Sequence, residues 1–207
     1  MTSVAKTKRT KWTRKAYILR SCAADMTSRG GTFTWPASGM VEAADWKPTK
    51  VCGNGLHGFL NGDGDGSLAS FHPDAKWLVA EIDEWIDLDG KVKFPRAKVV
   101  FCGDRHSAPA FLAEQGIKGV IVGGTATAGY GGTATAGYGG TATAGYGGTA
   151  TAGYGGTATA GVSGTVQVKW WDGQASRYRI ATGYVGEQGI EANRPYRCDA
   201  GGKLVAA

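Results

Sequence analysis

The sequence predicts a mainly β protein, in which a short β-solenoid is preceded by an α+β N-terminal domain and followed by a β-hairpin C-terminal cap. Two observations lead to this prediction. An eight-residue unit is repeated five times between Gly124 and Ser163, and alternating stretches of β-branched and aromatic residues flank it on both sides. The expected parts are a basic tail at 1–15, the α+β domain at 16–122, the octapeptide-repeat β-solenoid at 123–164 and the β cap at 165–207.

Each unit of the array reads Gly-Thr-Ala-Thr-Ala-Gly, followed by Tyr or Val and then by Gly or Ser. In an extended strand alternate side chains point to opposite faces, so both threonines share one face and both alanines share the other. The Gly-Tyr-Gly-Gly segment permits a tight corner. Because one strand and one corner cannot return the chain to its starting point, we predict two units, or sixteen residues, per coil.

Stacked coils align equivalent residues in rows. The predicted binding surface consists of ten threonines: Thr125, Thr127, Thr133, Thr135, Thr141, Thr143, Thr149, Thr151, Thr157 and Thr159. The four corner tyrosines, Tyr130, Tyr138, Tyr146 and Tyr154, are predicted to form ladders. The open sheet edges of such an array invite self-association unless they are covered. We expect the segments "GVIVGG" before the array and "TVQVKWW" after it to act as caps.

The run "AGYGGTATAGYGGTATAG" resembles the repeat of bacterial ice-nucleation proteins, whose pattern is Ala-Gly-Tyr-Gly-Ser-Thr-x-Thr. The resemblance implies a β-solenoid in which Thr-x-Thr rows order water into an ice-like layer beside a tyrosine ladder. This chain differs in having Gly in place of Ser before the threonines, and in having few copies. Each face offers two or three rungs, a patch on the order of 15 Å in the stacking direction, which is small for a strong nucleator.

The N-terminal segment is predicted to be built mostly of strands. The strand signals are "AYILRSCA", "GTFTWP", "KWLVAEID" and "KVKF" followed by "AKVVFCG", and one short helix is expected to be capped by Ser107 and ended by Gly116. Hairpins are expected at Asp89-Gly90, at Asp172-Gly173 and in "YRCDAGGKLVA". The segment around "CGNGLHGF" also resembles an uncharacterised domain that precedes octapeptide-repeat arrays in phage and bacterial proteins, a likeness that assigns no reaction.

Two sets of residues offer chemistry in the N-terminal domain. Cys52, His57, Cys102 and His106 could supply four zinc ligands, or a Cys/His nucleophile pair, if their segments meet in space; otherwise they are buried cysteines and surface histidines.

The segment "NGDGDGS" forms the second set. Asn61, Asp63 and Asp65 fit the start of a calcium loop, although His72 stands at its twelfth position where Glu is required. A solvated acidic turn is the alternative. A small enzyme or zinc-binding module therefore remains an alternative to a non-enzymatic role.

The net charge of +6 is concentrated at the N-terminus. The first twenty residues hold seven Lys or Arg and no acid, which leaves 16 basic and 17 acidic residues elsewhere. This tail could bind an anionic partner non-specifically, or could simply be solvated. No signal peptide or membrane-spanning apolar run is evident, so a cytoplasmic location is expected.

We therefore predict a structural, non-enzymatic solenoid that presents regular threonine rows. Assembly through self-association, or service as a rigid spacer between two modules, is its expected role, and the binding of ice or ordered water is an alternative.

Overall fold

The computed structural model describes residues 15–31 and 33–207 and is mainly β, as predicted. An antiparallel sheet domain comes first and a short β-solenoid follows it. The predicted basic tail lies outside the described residues except for Lys15, whose ammonium group pairs with the Glu81 carboxylate.

The N-terminal domain is a seven-stranded sheet with one helix. Its strands are β1 (Ala16–Cys22), β2 (Gly39–Glu42), β3 (Leu56–Leu60), β4 (Lys76–Ile82), β5 (Ile86–Asp87), β6 (Val92–Phe94) and β7 (Arg96–Gly103), and α1 spans Ser107–Glu114. The spatial order is β2-β7-β4-β1-β3-β6-β5, and neighbouring strands are antiparallel. The Asp89-Gly90 hairpin is confirmed, since both residues have the positive φ that its tight turn requires.

Both faces of this sheet are buried. Ile18 and Leu19 are neighbours on β1 that point to opposite faces, and both are completely inaccessible to solvent. On one face Ile18 belongs to a core that includes Trp35, and on the other Leu19 belongs to a core that includes Leu112 of α1. The continuous apolar character of the central strands follows from this double burial.

The start of α1 differs from the prediction that Ser107 caps it. Asp104 performs that role: its Oδ1 accepts the backbone N–H of His106 at 2.9 Å and of Ser107 at 2.8 Å. These bonds lower the pKa of Asp104 to about 2. The Ser107 hydroxyl instead lies 2.9 Å from the same carboxylate oxygen. Gly116, at φ +81°, ends the helix as predicted.

Two predicted strands are wrong. The segment "GTFTWP" contributes only an isolated bridge between Thr27 and Thr34, and β2 and β3 form elsewhere. The segment "GVIVGG" is a turn, because Gly119 and Gly123 adopt positive φ and the Val122 amide bonds to the Gly62 carbonyl. Its apolar side chains serve the core of the N-terminal domain rather than a capping strand.

The array forms the predicted two-unit coils. Its strands are β8 (Thr125–Ala128), β9 (Thr133–Ala136), β10 (Thr141–Ala144), β11 (Thr149–Ala152) and β12 (Thr157–Ala160), followed by β13 (Thr165–Asp172). Thr141 pairs in parallel with Thr125 on one side and with Thr157 on the other, so each rung repeats after sixteen residues. Strands β9, β11 and β13 pair in the same way in the opposite sheet.

The C-terminal segment closes one end of the solenoid. Strand β13 turns into β14 (Arg177–Tyr184), while β15 (Tyr196–Cys198) pairs antiparallel with β12 and with β16 (Leu204–Ala206). Both hairpins form, but the first turns through residues 173–176 rather than at Asp172-Gly173, because Asp172 ends β13 and pairs with Arg177. Inside the last coil Val166 and Val168 replace the alanines, and Ile190 packs against them. At the other end β8 and β9 are the last strands of their sheets.

A continuous chain of aromatic rings joins the three parts of the protein. Phe71 contacts Trp77 of the N-terminal core and Tyr138 of the corner between β9 and β10, each with ring centroids 5.4 Å apart. Tyr138 contacts Tyr154 at 5.4 Å, and Tyr154 contacts Tyr178 of the cap at 5.7 Å. One tyrosine ladder is therefore a structural link between the domains.

The inward alanines should tolerate no larger side chain. We expect Ala150→Leu to destabilise the protein by about 1–3 kcal/mol, because Ala150 is fully buried between the sheets and overpacking forces them apart. Thr149→Leu places the same side chain on the outer face and should change the free energy of unfolding by less than about 0.5 kcal/mol. Equilibrium denaturation measures both, and equal effects of the two variants would contradict the assignment of faces.

The two tyrosine ladders should differ in energetic weight. Tyr138→Ala removes contacts with two rings, Phe71 and Tyr154, and should cost about 1–3 kcal/mol, at 0.5–1.5 kcal/mol for each aromatic pair. Tyr130→Ala removes one contact from a side chain that is 84% exposed, and should cost less than about 1 kcal/mol. Thermal and denaturant unfolding of both variants checks this order, and a larger loss from Tyr130→Ala would refute it.

Candidate functional site

The predicted threonines lie on two opposite outer faces of the solenoid. The three-rung face, formed by β8, β10 and β12, carries Thr125, Thr127, Thr141, Thr143, Thr157 and Thr159. The second face, formed by β9, β11 and β13, carries Thr133, Thr135, Thr149 and Thr151, and continues with Thr165 and Gln167. Sequence reasoning predicted both sets of rows.

The rows are regular because backbone pairing fixes the positions of the strands. Threonines of one strand are separated by ~7 Å, and equivalent threonines of neighbouring strands by ~4.8 Å, as the rise and spacing of β-strands dictate. The threonines are exposed or half-buried, whereas the alanines of β10, β11 and β12 are at most 2% exposed. The result is a flat lattice of hydroxyl and methyl groups above a dry core.

The second face is less regular than the three-rung face. Gln167 occupies the position that follows Thr135 and Thr151, and the Thr151 hydroxyl donates to its Oε1 at 3.0 Å. Strand β14 then extends this sheet, with Tyr184 beside Thr165 and Thr182 beside Gln167. The three-rung face has threonine at all six positions of its three strands.

Both faces are electrically neutral within the array, because residues 124–163 include no Asp, Glu, Lys, Arg or His. Apart from the tyrosine phenols the array offers no titratable side chain, and it offers no carboxylate or imidazole ligand for a metal. Its threonine rows interact through hydroxyl hydrogen bonds and methyl contacts.

Glycine next to the threonine strands is required by close contact between coils. A Cβ atom at Gly140 would lie 2.6 Å from the Gly124 carbonyl oxygen, and one at Gly153 would lie 2.5 Å from the Gly137 backbone. The first of these positions is the one at which the ice-nucleation pattern has Ser. In this chain the coils are stacked so closely that the backbone would have to shift to accept Ser there.

The four tyrosines form two ladders on opposite corners. Tyr130 and Tyr146 are stacked at 5.4 Å with their rings 3° from parallel, and Tyr138 and Tyr154 form the tilted pair within the aromatic chain. The sequence predicted these pairs but not that Phe71 and Tyr178 extend the second ladder. These two partners are far from the array in sequence, and no local pattern marks them.

The four residues proposed as zinc ligands do not form one site. Cys52 Sγ lies 3.1 Å from Lys91 Nζ, and this contact lowers the pKa of the thiol. Cys102 lies against Met26, and His106 Nε2 accepts a hydrogen bond from Arg105. Across residues 15–31 and 33–207 no three His, Cys, Asp or Glu side chains are grouped to hold a metal ion.

The calcium-loop residues are engaged in local hydrogen bonds. Asn61 Oδ1 accepts the Tyr17 amide at 3.2 Å, and Asp65 Oδ1 accepts the Ser67 amide at 3.0 Å at the start of a short 3₁₀ turn. A strand, β3, precedes the segment where a calcium loop of this type has a helix. Asp63 is exposed and His72 faces Asp74.

No helix within the described part of the chain is both long and apolar enough to cross a membrane.

Two comparisons find proteins that are similar to this chain. A family model described as a domain of unknown function (DUF7666) matches residues 16–114, which is 99 of the 207 residues. No solved structure matches the chain.

Curated relatives are ice nucleation proteins. InaU of Pantoea ananas is 46% identical over 102 residues, which is 47% of this chain and 10% of the relative. An ice nucleation protein of Pseudomonas syringae is 47% identical over 48% of this chain and 9% of its own length, and one of Xanthomonas campestris pv. translucens is 44% identical over 48% and 6%. The chain thus spans a tenth or less of these relatives. One segment of the chain is similar to a domain of unknown function, and the chain is similar over about half its length to bacterial ice nucleation proteins, as its repeat predicted.

Proposed function

We propose that this protein is a structural β-solenoid whose three-rung face orders water and binds ice as a small patch. The observation that carries the proposal is the complete set of six in-register threonines on that face. The absence of charge and the alternation of hydroxyl and methyl groups fit a surface that adsorbs an ordered water layer.

The rigidity of the rows is the physical basis of this role. Threonine is β-branched and therefore restricted at χ1, so its hydroxyl and methyl groups lose little further freedom when they contact ordered water. The backbone beneath them is held by parallel pairing on β10 from both sides. Preorganised groups bind with a smaller entropy cost than mobile ones.

The size of the patch limits its strength. Three strands span ~10 Å between the outermost backbones, whereas a nucleator must stabilise a much larger ice embryo. The names of the curated relatives support the interaction with ice, but those proteins are at least ten times longer than the matched segment. We therefore propose ice or ordered-water binding for the single chain, rather than strong nucleation.

The open end of the solenoid favours a second role, end-to-end association of two copies. Strands β8 and β9 have no further strand beside them among the described residues. Ala126 and Ala128 of β8 are half-buried, whereas Ala142 and Ala158 in the next coils are fully buried. Pairing of two such ends would cover the alanines and lengthen the threonine rows.

Lysine on the three-rung face should abolish ice binding. We expect Thr141→Lys/Thr143→Lys to remove most thermal hysteresis and inhibition of ice recrystallisation, because two long charged side chains interrupt the middle of both rows. Ice-affinity partitioning of purified protein provides an independent measurement.

The matched control is Thr149→Lys/Thr151→Lys, which makes the same change on the second face. It should retain most of the activity. Wild-type protein with no effect on ice growth would refute ice binding, and equal losses from both variants would refute the choice of face.

The association of two copies should depend on the alanines at the open end of the solenoid. We expect wild-type protein to sediment increasingly as a dimer as its concentration rises, and Ala126→Lys to remain monomeric because a charge at the open end opposes pairing. Thr125→Lys changes the neighbouring outward position and should still dimerise. A wild-type monomer at all concentrations in analytical ultracentrifugation would exclude this second role.

A further inference from the structure

The N-terminal domain contains a cleft whose lining residues all lie outside the solenoid. Its volume is about 700 Å³, and it opens where β1, β3 and the segment 67–71 meet. Leu19, Phe59 and Phe71 contribute apolar walls, and Arg20, Arg29 and Lys91 contribute cations. This volume falls within the ~300–1,000 Å³ range of small-molecule sites.

The charged side chains that line the cleft are all cationic. Three permanent cations and His57 line it, and no Asp or Glu is among the described residues of its wall. The cations come from three separate segments, β1, the loop after it and the turn before β6, so that no single sequence motif produces the cluster. A second, adjoining cleft also includes Arg20, Arg29 and His57, and its wall contains one carboxylate, Asp45.

Among the described residues, Arg20 forms no ion pair with a carboxylate. Arg20 donates through Nη1 to the His57 carbonyl at 2.8 Å and through Nη2 to Ser28 Oγ at 3.0 Å, and it packs over the Trp35 ring at 4.8 Å. All three partners are neutral, and Arg20 Nε is buried without a hydrogen-bond partner. Arg20 is half-buried, and its guanidinium carries a positive charge that a bound anion would compensate.

Lys93 adds a fully buried cation close to His57. It is completely buried, and its ammonium group contacts the Thr49 hydroxyl and the carbonyl oxygens of Val51 and Gly53 at 2.9–3.3 Å. Burial, together with the charges of Lys91, Arg20 and Lys93, lowers the pKa of His57 to about 4. His57 is therefore neutral at pH 7, and its Nε2 is buried without a partner.

We propose that this cleft binds a phosphorylated small molecule, with the phosphate held by Arg20, Arg29 and Lys91 and the remainder against the apolar wall. A phosphate supplies the multiple negative charge that several converging cations require, and its oxygens match the donors of a guanidinium. The apolar side of the cleft gives room for a flat organic group, so a nucleotide-sized ligand fits better than a free ion.

Isothermal titration of the full chain with AMP, adenosine and inorganic pyrophosphate tests this proposal. We expect AMP to bind more tightly than pyrophosphate, and adenosine to bind at least about tenfold more weakly than AMP, because adenosine lacks the charge-assisted bonds to phosphate. Binding should also raise the pKa of His57 from about 4, which NMR titration of its imidazole detects.

Substitutions distinguish the cleft from general basicity. Arg29→Gln and Lys91→Gln, at an exposed and a half-buried position, should each weaken AMP binding about tenfold without loss of fold as judged by circular dichroism. Lys98→Gln, an exposed lysine of β7 outside the cleft, is the matched control and should bind as wild type.

The basic tail requires its own control, because its positive charge would also attract a phosphate. A variant with Lys6, Lys8, Arg9 and Lys11 changed to Gln should keep its affinity for AMP. The proposal is overturned if neither phosphate probe binds, if adenosine binds as well as AMP, or if the tail variant or Lys98→Gln loses binding as much as Lys91→Gln does.

Discussion

The alanines that face inward from β9 to β12 set the distance between the two solenoid sheets, and every other feature of the array depends on that close approach. A methyl group is the whole side chain available to fill the space, so the sheets pack through alanine, and the glycines that flank β10, β11 and β12 lie in close contact with the neighbouring coil. Once the coils stack with a repeat of sixteen residues, the threonines have no freedom to leave their rows. The outer lattice is therefore a consequence of the inner packing.

An alanine core this thin is stabilised from its flanks. Val166 and Val168 enlarge the core in the last coil, where β14, β15 and β16 complete the two sheets. Toward the N-terminal domain the link is aromatic: Phe71 contacts Tyr138, and the rings continue through Tyr154 to Tyr178. One ladder thus joins the domains, while Tyr130 and Tyr146 stay exposed at the opposite corner. The identical repeats consequently experience different environments.

The sequence was most informative where structure is local and periodic. Alternating Thr and Ala, with glycine corners, was enough to predict the coil length, both faces and the ladders. The sequence was misleading where a tertiary contact prevails over local preference. Ile121 and Val122 have strand character but pack in the N-terminal core. Asp104, rather than Ser107, caps the start of α1. The cationic cleft was missed because Arg20, Arg29 and Lys91 come together only when distant segments fold.

The threonine rows depend most directly on the sixteen-residue coil, and paired cysteines test that coil. Strand neighbours ~4.8 Å apart lie within the Cα separation that a disulfide accepts, whereas residues on opposite faces do not. Residues 143 and 159 lie sixteen positions apart, on neighbouring strands of the three-rung face. We therefore expect Thr143→Cys/Thr159→Cys to form a 143–159 disulfide under mild oxidation, and peptide mass spectrometry identifies the bond. Thr143→Cys/Thr151→Cys should not form the corresponding bond. A 143–151 link without a 143–159 link would contradict the two-unit coil and, with it, the threonine rows.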